Sequence, residues 1–357
     1  MTGRRLRVID TGVQPGRRNV ALDQALIDGH RAGTTPDTLR FLAFSPSVLI
    51  GRHQDLSRDV DLEFCAAHGI DVGRRVTGGG AIYLDQGQLG WELICARETL
   101  GGGALGELAT RICTAAAAGL TTLGIDARFR PRNDIEVGGR KIGGTGGFFD
   151  GGTLFYQGTV IGELDAVTMF GALRVPGDKR ARHGHVAPAA RVTSLVELLG
   201  RAPPWHAVKH AVAAAFAAAF DLSCAESELD AAELGAARSC YEGEIGSDAF
   251  VHEIDGLGDG GAVYHARHET PGGTITVHAT RAATGTPRLE QVVFSGDFFV
   301  TPPRVLLDLE AALRQVALGQ AARVAAEFLA AAPIELMSVA PDAIVETLRD
   351  ALEAEPA

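Results

Sequence analysis

Two glycine-rich, cation-bearing stretches set the terms on which this chain can fold. The first runs Arg74-Arg75-Val76-Thr77-Gly78-Gly79-Gly80-Ala81-Ile82-Tyr83-Leu84-Asp85, and the second runs Arg132-Asn133-Asp134-Ile135 through Gly139-Arg140-Lys141-Ile142-Gly143-Gly144-Thr145-Gly146. Successive glycines let main chain approach an anion closely and aim consecutive N–H groups at it, while arginine forks neutralise its charge. On its own, a glycine triplet reads as a turn between strands. The second stretch adds a mechanism. Residues 135–137 read as a strand, Gly138-Gly139 as a tight turn and Arg140-Lys141-Ile142 as the returning strand, so a lysine is delivered beside a second backbone nest. Neither stretch is a Walker A loop or a Gly-x-Gly-x-x-Gly turn opening a helix. Together they predict a phosphate or carboxylate cradle.

Lysine usage sharpens that reading. Lys and Arg total 33, yet lysine occurs only at 141, 179 and 209. Where arginine is the default cation, a retained lysine suits a site that needs a compact ammonium instead of a planar fork. Lys209 reads as an ordinary position on an amphipathic helix. Lys141, inside a glycine-rich motif, reads as functional.

The formal net charge of −11 argues against a nucleic-acid partner held through phosphate contacts. The five cysteines, at 65, 95, 113, 224 and 240, form no Cys-x-x-Cys pair and no cluster with histidine. They are expected to be free thiols in a reducing compartment, which places the chain in the cytoplasm. Residues 1–18 lack the apolar core of a signal peptide, and the longest apolar run, 211–220, is about half of what a bilayer span requires. No membrane role is expected.

The chain's 357 residues, 46% of them hydrophobic, suffice for one large or two ordinary domains. Asn19 is expected to cap a short helix ending before Gly29, followed by strands around a Pro46 turn within 41–50. Residues 61–68 read as helix, 70–72 as a strand entering the first cradle, and 89–95 as another strand. Leu105, Leu108, Ile112, Ala116, Leu120 and Leu123 have the spacing of a core-facing helix that stops at Gly124. An alanine-rich helix over 205–220 and a helical stretch over 227–239 follow. This order predicts an α/β (α+β) catalytic domain over 1–245, a central mixed sheet flanked by helices with ligand-binding loops at one edge. Trp91 and Phe148-Phe149 suit core packing or an apolar channel. Residues 242–259 are acidic and glycine-bearing, as in a linker. Beyond it, strands at 263–268, 274–280 and 289–295 and two proline-started helices predict a small α+β accessory domain over 255–357.

The glycine-rich stretches also carry a resemblance. The chain resembles the lipoate-protein ligase A family, whose pattern runs roughly Arg-Arg-x-Ser/Thr-Gly-Gly-Gly-Ala-Val-x-His-Asp, then Arg-x-Asn-Asp-Ile, Gly-x-Lys-Ile-x-Gly-Ser/Thr-Ala and His-Gly-Thr. Biotin ligases and octanoyltransferases belong to the same larger group. The likeness extends to Val48-Leu49-Ile50-Gly51-Arg52-His53-Gln54 and Arg191-Val192-Thr193-Ser194-Leu195, and covers about the first 245 residues. Gly296-Asp297-Phe298-Phe299 resembles a segment of the accessory domain of two-domain lipoate ligases. By chemistry alone that segment is a turn anchored by core phenylalanines.

The resemblance implies an enzyme that activates lipoate or octanoate with ATP to an acyl-adenylate and transfers the acyl group to a lysine of a lipoyl carrier. That carrier would be a lipoyl domain of a 2-oxoacid dehydrogenase, a glycine-cleavage H-like protein or a related lipoate-binding protein, and the enzyme itself a monomer. By the same resemblance Arg75 contacts nucleotide phosphate, and Gly80, Ala81, Ile82 and Tyr83 line the acyl and nucleotide sites beside Gly78 and Gly79. Lys141 bridges phosphate and acyl carboxyl oxygen, Asn133 serves the nucleotide, Asp134 serves Mg2+, and Gly144 and Thr145 add donors. Asp134 also suits the plainer task of pairing Arg132 or holding a turn. Lys179 stands where a lysine-bearing loop of the family folds over the adenylate, although 173–191 equally has the composition of a solvated connector.

This sequence departs from the pattern at four places. Leu84 and Gln157 stand where histidines are usual, Gln88 where asparagine is usual, and Gly146 where alanine is usual. Two other readings compete with the ligase. An ATP-independent octanoyltransferase would need an activated cysteine thiolate, and no cysteine sits at a matching motif position. A non-catalytic lipoyl-domain binding module would explain the lost imidazoles.

Overall fold

The computed structural model describes residues 4–131, 133–174, 188–255, 263–282 and 287–354. The chain divides into two compact units: Met1–Leu49, Val60–Gly73 and Ile82–Ser247 form the first, and Ile50–Asp59, Arg74–Ala81 and Asp248–Ala357 the second.

The first unit is built on eleven strands: β1 Arg4–Gln14, β2 Thr38–Phe44, β3 Ser47–Ile50, β4 Asp71–Arg74, β5 Ile82–Leu84, β6 Gln88–Ala96, β7 Arg128–Arg130, β8 Asp134–Val137, β9 Arg140–Asp150, β10 Thr153–Ile161 and β11 Leu222–Glu226. Eight of them form one mixed sheet in the order β11-β1-β2-β6-β10-β9-β8-β7. Its β1 pairs are parallel and the pairs from β2 to β7 antiparallel. Because side chains alternate along a strand, β6 sends Leu89, Trp91, Leu93 and Cys95 to one face. There they join Leu108 and Ile112 of the helix Leu105–Thr121 and Val208, Val212 and Phe216 of the helix Trp205–Phe220 in one core. Each fully buried side chain of this kind contributes about 1.5–3 kcal/mol. The expected fold class, a mixed sheet flanked by helices, is the observed one. Trp91 and Phe149 belong to this core.

The opposite face carries a polar row. In register across four strands stand Arg40, Glu92, Gln157 and Gly146. The helix Gly16–Arg31 starts three residues before Asn19, directly after Pro15, so Asn19 is not a cap. Its side-chain oxygen instead accepts from Arg40 Nη2 at 2.5 Å, while Arg40 Nη1 donates to Asp23 at 2.5 Å and to Glu92 at 3.0 Å. One buried guanidinium faces two buried carboxylates. Burial pushes Glu92 well above the usual carboxylate range and Asp23 up to about 6, against the opposing pull of Arg40.

In the second unit, β12 Val263–Thr270, β13 Gly273–Arg281 and β14 Leu289–Gly296 form an antiparallel sheet, and β15 Val300–Thr301 pairs with β16 Leu336–Met337. Three helices, Val305–Leu313, Leu318–Ala331 and Pro341–Glu353, close a second core containing Ile275, Val277, Phe294, Phe298, Leu309 and Leu348. The expected α+β character is present, with the helix Leu318–Ala331 added to the two expected.

Candidate active site

The lysine hairpin lies in the first unit. Gly138 and Gly139 turn β8 into β9 with φ of +57° and +80°, a geometry that L side chains resist. A register shift between Ile135 and Glu136 lets Asp134 pair with Gly144 while Glu136 pairs with Lys141. The Lys141 ammonium therefore reaches Asp134 Oδ1 at 2.8 Å, and Arg130 Nη2 holds the other oxygen at 2.6 Å. Burial opposes the charge on Asp134, but Lys141 and Arg130 overcome it and keep its carboxyl below the usual range. The ammonium lies over Gly144, where a Cβ would stand 2.7 Å from Nζ. Lys141 is also fixed through its main chain, since its carbonyl accepts the Thr193 N–H at 2.8 Å and it bridges to Val192. The stretch 191–195 is thereby a brace for the lysine strand.

Asn133 and Thr145 are tied reciprocally. The Asn133 carbonyl accepts the Thr145 N–H at 2.8 Å and its hydroxyl at 3.1 Å, while Asn133 Nδ2 donates to the Thr145 carbonyl at 3.3 Å. The Thr145 hydroxyl also meets Tyr156 OH at 3.1 Å and Cys113 Sγ at 3.2 Å inside the core. Tyr156 and Cys113 carry no motif signal: the pairing of β9 with β10 brings Tyr156 to this place, and the packing of the helix Leu105–Thr121 on the sheet brings Cys113.

The glycine loop, 74–81, lies in the second unit. Arg75 is buried, which draws its pKa down to about 10. Its guanidinium organises the loop itself: Nε donates to the Thr77 hydroxyl at 3.0 Å, and Nη2 to the Gly78 and Gly80 carbonyls at 2.7 and 2.9 Å. Beside it Gly79 N–H donates to the Phe298 carbonyl at 3.0 Å. Ala81 ends the loop, and Ile82, Tyr83 and Leu84 form β5 in the first unit, paired with Leu49, Val48 and Ser47. Thus Asn133, Asp134, Lys141, Gly144 and Thr145 come together on one hairpin, and Arg75 and Gly78, Gly79 and Gly80 on one loop. Gln88 pairs with Ile161, and Gln157 sits between Glu92 and Gly146. Lys179 and Arg132 lie outside the described residues.

Sequence reasoning named neither Arg130 as a neighbour of the lysine hairpin nor Phe298 as a neighbour of the glycine loop. Arg130 stands four residues before Asp134, but only the β7–β8 pairing, Arg130 opposite Asp134, aligns the two. Among the described residues no group of three His, Cys, Asp or Glu side chains is arranged to hold a metal ion, and no helix is long and apolar enough to cross a membrane.

Every cysteine thiol is pushed above its ordinary value, chiefly by burial: Cys65 to about 11, and Cys95, Cys113, Cys224 and Cys240 likewise upward. Among the described residues none of the five sulfurs is hydrogen-bonded to a histidine, lysine or arginine.

The catalytic-domain family described as lipoyl protein ligase A/B matches residues 15–217. Over 265 residues the chain is 31% identical to the octanoyltransferase LipM of Symbiobacterium thermophilum, covering 68% of this chain and 96% of that protein. It is 32% identical over 161 residues to the lipoate-protein ligase LplJ of Bacillus subtilis, covering 45% of this chain and 47% of that protein. Among solved structures, a bipartite lipoate protein ligase of Thermoplasma acidophilum, studied with its E2 lipoyl domain, aligns with a TM-score of 0.61 at 24% identity, over 71% of this chain and 98% of that one. The LipL1 protein of P. falciparum, in complex with lipoate, aligns with a TM-score of 0.71 at 14% identity, over 96% and 98%. At these identities the structures speak for the fold.

Proposed function

This chain belongs to the lipoyl protein ligase A/B catalytic-domain family, and from that premise we propose that it is an ATP-dependent lipoate-protein ligase. The observation that carries this reading over acyl transfer through a thioester is the state of the thiols. A transferase needs a cysteine poised as thiolate beside a base. Here burial raises all five, and Cys113, the thiol nearest the lysine hairpin, meets only the hydroxyls of Thr145 and Tyr156.

In the ligase chemistry the lipoate or octanoate carboxylate attacks the α-phosphorus of ATP and pyrophosphate leaves. The lysine amine of a lipoyl carrier then attacks the acyl carbonyl of the adenylate, and AMP leaves. The protein supplies alignment and charge stabilisation. Lys141 is suited to lie between the phosphate and the acyl carboxylate, because its ammonium is already poised on a hairpin fixed by Asp134 and Thr193. By the family resemblance Asn133, fixed by Thr145, serves the nucleotide, and the loop of Arg75 and Gly78 to Ala81 receives phosphate. Mg2+ at Asp134 would take carboxylate oxygens that Lys141 and Arg130 hold in this structure, and would share them with substrate phosphates. Bound there, the ion would neutralise phosphate charge. The acceptor is a lipoyl domain, the class of partner studied with the Thermoplasma ligase.

The octanoyltransferase names among the relatives favour a second reading, transfer from an octanoyl thioester without ATP. One experiment separates the two: mass spectrometry of a lipoyl domain after incubation with the protein and lipoate, with and without ATP and Mg2+, beside a parallel reaction supplying octanoyl thioester. Modification that requires ATP supports the ligase. Modification from the thioester alone, abolished by one cysteine substitution, refutes it.

A further inference from the structure

The glycine loop of the second unit is stitched to residues 296–299 at every level of its geometry. Gly79 N–H donates to the Phe298 carbonyl at 3.0 Å. A Cβ on Gly78 would stand 2.5 Å from that same oxygen, and one on Gly79 would stand 2.6 Å from Phe299 Cζ, so only glycine admits this contact. The Phe298 side chain is fully buried in the unit's core, with its ring stacked on the buried His53 imidazole at 5.9 Å. Gly296 N–H donates to the His53 carbonyl at 2.8 Å. The main chain of Phe299 is in turn held by Ser338, whose hydroxyl accepts the Phe299 N–H at 2.9 Å and whose own N–H donates to the Phe299 carbonyl at 2.9 Å.

We propose that residues 296–299 are a latch on the glycine loop, holding the Gly79 N–H on the Phe298 carbonyl until a phosphate group of the nucleotide or of pyrophosphate takes that donor. The inference rests on reading 77–80 as the phosphate cradle. An amide has one hydrogen, so it cannot serve the carbonyl and a phosphate oxygen at full strength together. A phosphate oxygen carries formal charge, and charge-assisted hydrogen bonds are roughly twice as strong as neutral ones. Loading of the cradle therefore favours release of Phe298, and departure of the anion returns the donor to it. Arg75, by holding the Gly78 and Gly80 carbonyls, keeps the main chain on both sides of Gly79 in place while this exchange occurs. The latched fraction lowers apparent affinity in proportion. Phe299 and Ser338 are thus positioning residues, acting on the anion through Gly79.

The test is calorimetric titration of the full-length protein and its Phe299→Ala and Ser338→Ala variants with ATP and, separately, with inorganic pyrophosphate. Removing either support loosens one neutral hydrogen bond, and both variants are expected to bind the anions about five-fold tighter than the parent. A merely structural role predicts unchanged or weaker binding by a folded variant, and that result overturns the latch. Pyrophosphate binding that follows the expected order while ATP fails to bind would sink the ATP-ligase reading and keep the latch. No anion binding by any of the three proteins overturns the latch itself. The Phe298 carbonyl of the unaltered protein, labelled with 13C and read by NMR, decides the question even where a variant fails to fold. Pyrophosphate is expected to shift that resonance as the Gly79 donor leaves it, and an unchanged resonance in the presence of bound pyrophosphate refutes the proposal.

Discussion

Replacing Lys141 with alanine separates what the ammonium does for the fold from what it does for the reaction. In the fold it forms an ion pair with Asp134 at 2.8 Å, but the two side chains are 34% and 20% exposed, and Arg130 stays on the same carboxylate at 2.6 Å. A partly solvated pair of this kind contributes at most about 1 kcal/mol, so Lys141→Ala is expected to melt within a few degrees of the parent. In the reaction the ammonium faces charge that develops on phosphate and carboxylate oxygens. A unit charge about 4 Å away interacts by roughly 4 kcal/mol at an effective dielectric of 20, and removing one such donor from an active site costs about 2.7–4 kcal/mol. That corresponds to a loss of about two to three orders of magnitude in adenylation rate. The assay is lipoate-dependent exchange of labelled pyrophosphate into ATP, paired with circular dichroism. A folded variant exchanging at the parental rate would refute the assignment of Lys141. A variant that simply unfolds would refute the account of the Asp134 pair.

Cys113→Ala should leave acyl transfer within a few-fold of the parent, apart from a packing loss of about 1 kcal/mol, because its thiol bonds only to Thr145 and Tyr156; complete loss of transfer by a folded Cys113 variant would favour the thioester route. His53 is buried, and desolvation, aided by Arg52 and Arg74, lowers its pKa from 6.5 to about 3. Below the unfolded value the unfolded chain gains a proton that the native state refuses, so stability is expected to fall by about 2 kcal/mol between pH 7 and pH 5 and this part of the slope to vanish in His53→Gln, as read by urea unfolding at both pH values.

The parts of this molecule that were legible in the sequence are those where local signals and tertiary pairing agree. The β8–β9 hairpin announced itself because Gly138-Gly139 freely adopts the positive φ that a tight turn between β-forming residues needs. The sheet of β12, β13 and β14 did so through alternation. What escaped was fixed by contacts distant along the chain. β10 escaped even though Asp150-Gly151-Gly152 is as clear a turn signal as Gly138-Gly139; it is paired on both sides and carries Tyr156 and Gln157 into place. Arg40 reads as an ordinary strand arginine until Asn19, Asp23 and Glu92 arrive from two other elements. The helix Leu318–Ala331 is alanine-rich and begins after Ala317 without a side-chain cap, so no boundary residue marks it. The grip of residues 296–299 on the glycine loop was likewise hidden, since nothing in a Gly-Asp-Phe-Phe turn says which backbone it will touch.

Neighbouring glycines in the lysine strand offer the sharpest separation of packing from function. A Cβ on Gly143 would stand 2.1 Å from the Thr159 carbonyl oxygen, which is main chain of the paired strand and has nowhere to go. A Cβ on Gly144 would instead stand 2.7 Å from Lys141 Nζ and 3.0 Å from its Cε, the far end of a flexible side chain that can swing aside. Gly143→Ala is therefore expected to damage the sheet and lower stability by about 2 kcal/mol or more, as overpacking does. Gly144→Ala should fold with nearly parental stability while moving the ammonium from its place beside Asp134. A misplacement of about 1 Å can cost about two orders of magnitude in rate, so the Gly144 variant should resemble Lys141→Ala in pyrophosphate exchange although the lysine is still present. Thermal melts and exchange rates on the two glycine variants decide the matter. If Gly144→Ala melts normally and exchanges pyrophosphate at the parental rate, the position of Lys141 over that glycine has no bearing on the chemistry, and the reason for glycine at 144 must lie elsewhere.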